Sequence, residues 1–70
     1  MMPLSYAVPG EESVIRKIGG SPDVKKHLES LGFVVGGTAT VIMSLNGNVI
    51  VKVKESRVAI NDDMARRIMI

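Results

Sequence analysis

The sequence predicts a small, mainly β domain: a partly open barrel of about five strands with one short inserted helix and a C-terminal helical turn. Three observations carry this expectation. The stretch from Leu31 to Val51 holds no charged side chain, yet its apolar residues alternate with Thr, Ser and Asn at the period of a strand. One segment, Ser21 to Phe33, has the signals of a helix of more than one turn at both ends. Three further short runs, "EESVIRKI", "SRVAI" and "IMI", read as the remaining strands. Residues 1–70 are expected to form a single domain.

The elements follow in order. "EESVIRKI" is expected to be one strand, and because Val14, Ile15 and Ile18 do not alternate cleanly it has room for a bulge. In "GGSPDVKKHLESLGF", Ser21 is placed to cap a helix, Pro22 suits the first helical position, and Asp23 complements the positive end of the dipole. Val24, Leu28 and Leu31 then recur at i, i+4 and i+7 as one apolar stripe. Gly32 can end the helix in a left-handed conformation, with Phe33 packing back towards Leu28 in a Schellman motif.

Ala39, Val41, Met43 and Leu45 alternate on one strand, and Val49, Val51 and Val53 on the next, so the two form a hairpin around "NGN". A two-residue Asn46-Gly47 loop would set the odd positions of one strand beside the even positions of the other. A three-residue loop, Asn46-Gly47-Asn48, pairs Leu45 with Val49, Met43 with Val51 and Val41 with Val53, which keeps one face apolar and is therefore preferred. On that register Ile42 lies opposite Lys52 and Ile50 opposite Ser44, leaving two isoleucines on the outer side. "SRVAI" gives the next strand. Asn61 caps the turn "DDMARR", with acids at its start and arginines at its end, and Ile68 and Ile70 share a face of the last strand.

Composition narrows the function. A chain of 70 residues buries only about 60% of its unfolded surface, so a large catalytic cleft is not expected. With Tyr6 and Phe33 as the only aromatics, the core must be aliphatic. The absence of cysteine excludes disulfides, thiolate zinc sites, iron–sulfur clusters and cysteine nucleophiles, and fits a cytosolic setting. "MMPLSYAVPGEE" lacks a cationic segment followed by an apolar one, so no signal peptide is expected. The uncharged run is long enough to cross a bilayer, but its glycines and hydroxyl and amide side chains make it a hairpin of a water-soluble domain.

No Ser-His-Asp or Ser-Lys arrangement can be recognised, and "GGSPD" is not a phosphate loop, so the chain is read as a non-enzyme. His27 is the only histidine. It flanks the apolar stripe of the helix, a boundary position, and is a weak candidate ligand for a divalent transition metal such as iron or zinc, which Glu11, Glu12, Asp62 and Asp63 could assist only if the fold brings them together; no cofactor is required. The basic doublets Arg16-Lys17, Lys25-Lys26 and Arg66-Arg67 read as solvated surface. Two aromatics make a poor stacking platform, which disfavours nucleic acid and leaves a protein partner.

Taken together, "VPGEESVIRKIGG", then "HLESLGFVVG" on the pattern Leu-x-x-Leu-Gly-Phe-x-x-Gly, the valine hairpin, "SRVAI" and the Ala65 to Ile68 ending resemble the FeoA-type domains over nearly the whole chain. Val35 stands where that family often has proline, and Glu55 where it often has glycine. The resemblance implies an SH3-like barrel and a cytosolic accessory role in bacterial ferrous iron uptake. It also implies a partner, the cytoplasmic GTP-hydrolysing part of a FeoB-type membrane permease, and no small-molecule substrate. The residues expected to meet that partner are Val35, Ile42, Ile50 and Lys52, because exposed apolar side chains beside a charge suit an interface. A transition-metal-responsive domain and an SH3-like adaptor for another protein or nucleic acid are the alternative readings.

Overall fold

In the computed structural model, which describes residues 1–70, six strands and two helices follow one another. They are β1 (Glu12–Val14), β2 (Lys17–Ile18), α1 (Pro22–Ser30), β3 (Thr38–Leu45), β4 (Asn48–Val53), β5 (Ser56–Asn61), α2 (Asp62–Arg67) and β6 (Ile68–Met69). All pairing is antiparallel: one sheet runs β1-β3-β4-β5, and β2 pairs with β6 in a second.

The helix ends behave as their residues dictate. The Ser21 hydroxyl accepts the Val24 N–H at 3.3 Å, and Pro22 occupies the first turn, where no N–H is needed. At the other end Gly32 takes φ +108°, its N–H reaches the Glu29 carbonyl at 2.9 Å, and the Phe33 N–H reaches that of Leu28 at 3.0 Å. Those two bonds are the Schellman pair, and they turn Phe33 inward, where it is fully buried with Leu28.

The hairpin departs from expectation. Asn46 and Gly47 alone form the loop, with φ of +50° and +79°, the paired left-handed conformation whose twist matches that of the flanking strands. Leu45 therefore faces Asn48, and Met43 faces Ile50; Ile42 is not opposite Lys52, whose partner is Thr40, and Ile50 is not opposite Ser44. The parity conflict is resolved elsewhere: β3 carries a bulge at Ile42, between the Val41–Val51 and Met43–Ile50 pairs. One extra residue there reverses the alternation, so Val41 and Ala39 still meet Val51 and Val53 on the buried face. The remaining mismatch, Ser44 across from Val49, falls near the tip, where Ser44 is exposed.

"EESVIRKI" is two strands, not one. The chain passes from one sheet to the other at Ile15 and Arg16: the Ile15 N–H reaches the Gly37 carbonyl at 2.8 Å, and the Arg16 N–H that of Met69 at 2.8 Å. Successive residues thus serve different sheets, which is why Val14 is exposed, Ile15 buried and alternation broken. The N-terminus adds a 3-10 turn, Leu4–Tyr6, that no periodicity announced; it sets Leu4 in the core, and Met2 and Ile70 exchange backbone bonds of 2.9 and 2.8 Å beside it.

The core is aliphatic apart from Phe33, and no polar or charged residue is buried within it. Val24, Leu31, Val58, Met64 and Ile70 pack around its margin. Asn61 Oδ1 accepts the Met64 N–H at 2.8 Å to start α2, and Asp62–Arg66 and Asp63–Arg67 pair along it at 2.7 and 3.3 Å. No helix is long and apolar enough to cross a membrane.

Candidate interaction surface

A concavity forms where β2 meets α1. Lys17 and Ile18 come from β2, Lys25 and Glu29 from successive turns of α1, Arg16 from the crossover between the sheets, and Val34 and Val35 from the chain leaving the Schellman turn. The pocket has a volume of about 350 Å³. The position of α1 follows from its stripe: Leu28 is buried, so Lys25 and Glu29 are carried at the margin. Ile18 is itself core, while Val34 and Val35 remain exposed, Val35 at 63%.

The expected partner-binding residues do not form one patch. Ile50 is half-buried and Lys52 exposed, both on the outer face of β4, where their β3 neighbours are Met43 and Thr40. Ile42 is the half-buried bulge residue. Val35 lines the β2–α1 pocket, which includes none of the other three. Met43 and Leu45, at 47% and 58% exposed, extend the apolar character of the hairpin's outer side.

His27 is exposed on α1, and its carbonyl accepts the Ser30 hydroxyl at 2.6 Å. No three histidine or carboxylate side chains converge into a group able to hold a metal ion. Sequence reasoning missed the pocket because its cations come from two doublets set nine residues apart, and only the fold brings Arg16, Lys17 and Lys25 to one concavity. The available signal was the Gly19-Gly20 pair between them, which allows β2 to turn directly into α1.

Comparison with known proteins supplies the rest. The FeoA domain family matches residues 2–70. A Methanocaldococcus jannaschii protein provisionally named Fe(2+) transport protein A is 37% identical over 70 residues, spanning 100% of this chain and 85% of that protein. Among solved structures, the crystal structure of an iron uptake regulatory protein, FeoA, superposes with a TM-score of 0.87 at 33% identity, covering 96% of this chain and 89% of that one. The solution structure of iron(II) transport protein A from Clostridium thermocellum superposes with a TM-score of 0.90 at 23% identity, covering 97% and 43%, and bears on the fold alone.

Proposed function

Because this chain belongs to the FeoA domain family, we propose that it serves ferrous iron transport as a non-catalytic accessory protein. In this reading it works in the cytoplasm, docking on the GTP-hydrolysing part of a FeoB-type membrane permease and modulating it. The observation that carries the reading is likeness over the whole chain: the M. jannaschii protein, whose name gives it a role in Fe(2+) transport, aligns with it from first residue to last at 37% identity. The molecule's chemistry agrees with it. Its surface offers aliphatic side chains beside lysines, material suited to a protein interface and poor in groups for bond-making.

Two surfaces are available for docking: the outer hairpin side with Ile42, Ile50 and Lys52, and the pocket margin with Val35. The test is direct binding of the purified chain to the isolated cytoplasmic portion of a FeoB-type permease, read by biolayer interferometry. Ile50→Thr and Lys52→Glu together should weaken binding while leaving the circular dichroism spectrum unchanged. Failure of the wild-type chain to bind would remove the reading. Binding unaffected by the paired substitution would remove the hairpin surface from it.

A further inference from the structure

We propose that the β2–α1 pocket receives an acidic, aliphatic peptide segment of the partner protein. The inference rests on the accessory reading above and adds the chemistry of the segment that is recognised.

Charge is the first argument. Of nine basic and seven acidic residues in the chain, the pocket takes three and one, so the remainder balances at six of each. The whole net charge of +2 is thus concentrated around one concavity. The basic residues there are also unengaged. Both ion pairs of the molecule lie on α2, and neither includes Arg16, Lys17 or Lys25; Glu29 bonds none of them. Cations held around a concave surface focus an attractive field on anions that approach it.

The floor supplies the second argument. Ile18, Val34 and Val35 offer aliphatic surface between the charged side chains, so a ligand of charge alone would leave that surface wet. About 350 Å³ sits at the small end of binding pockets and admits one or two side chains, not a folded domain. A peptide that alternates carboxylates with aliphatic residues satisfies both needs. Nucleic acid would want aromatic stacking, and neither Tyr6 nor Phe33 lines the pocket. An anionic lipid headgroup would meet the cations but leave the aliphatic floor uncovered.

The test uses the full chain with a fluorescein-labelled synthetic peptide of interspersed aspartates and leucines. Controls carry asparagine for each aspartate or alanine for each leucine. Anisotropy should report binding that weakens with salt and is lost with the asparagine control and reduced with the alanine control. Amide shifts should move at Lys17, Lys25, Val34 and Val35. Lys25→Glu should weaken binding about tenfold, since reversal removes one exposed attraction and adds one repulsion. Lys54→Glu, equal in net charge and outside the pocket, should leave it within about twofold.

Equal loss in both lysine variants would reduce the effect to net charge and overturn the proposal. So would binding to phosphatidylglycerol vesicles in the absence of peptide binding. The permease portion separates the two readings. If it binds the wild type and Lys25→Glu equally, the pocket proposal fails and the accessory role stands. If it binds neither while the acidic peptide still binds the pocket, the transport partner is wrong and the pocket's specificity stands.

Discussion

Replacing Gly32 with alanine tests whether the helix-ending turn is held by backbone conformation. Gly32 has φ +108°, a region where an L-residue costs about 1–2 kcal/mol. A methyl group there would lie 3.5 and 3.6 Å from the Val53 methyls and 3.7 Å from Lys54 Cδ, ordinary contact distances, so no clash adds to the conformational cost. Alanine also restricts the unfolded chain, which returns roughly 0.4–1 kcal/mol. The expected net loss is about 1 kcal/mol, and for a domain of this size that lowers Tm by roughly 4–8 °C. Thermal unfolding followed by circular dichroism measures it. An unchanged or raised Tm would mean that Gly32 does not hold this conformation in solution. A loss as large as that of removing Phe33 would mean that packing, not backbone conformation, governs the turn.

Three further outcomes are expected. Phe33→Ala should cost about 3–5 kcal/mol from the cavity left in a core without another aromatic, a large share of the roughly 3.5–10 kcal/mol expected in total; urea midpoints would show it. Asn61→Ala removes the 2.8 Å cap of α2 and should cost about 1 kcal/mol, visible as a lower Tm with the fold retained. His27→Ala should leave ferrous or zinc ion titrations by calorimetry unchanged, because no group of three histidine or carboxylate side chains converges to chelate an ion; a lost response would identify His27 as a ligand.

What the sequence made legible was local. Ser21, Pro22, Gly32 and Phe33 specify the ends of α1 through bonds spanning only three to five residues, so their types suffice. The aliphatic core and the Asn61 cap were equally readable. Non-local choices were not. The break in "EESVIRKI" depends on Gly37 and Met69, far along the chain, and Leu4 enters the core from a turn too short to show a period. The hairpin was ambiguous in kind: a longer loop or a bulge can each restore an apolar face. The two left-handed residues at its tip and the bulge at Ile42 together decide it. The candidate surface suffered most, because Arg16, Lys17 and Lys25 look like ordinary solvated charge until β2 and α1 are set side by side.

The bulge also makes the hairpin unequally tolerant of insertion and deletion. Losing any paired residue of β3 shifts everything beyond it by one step and turns inward side chains outward. Ile42 is the exception. Without it Val41 would be followed directly by Met43, already facing Val51 and Ile50, and the inward or outward sense of every other side chain would survive. The strand therefore contains one position at which its length can change while its phase does not.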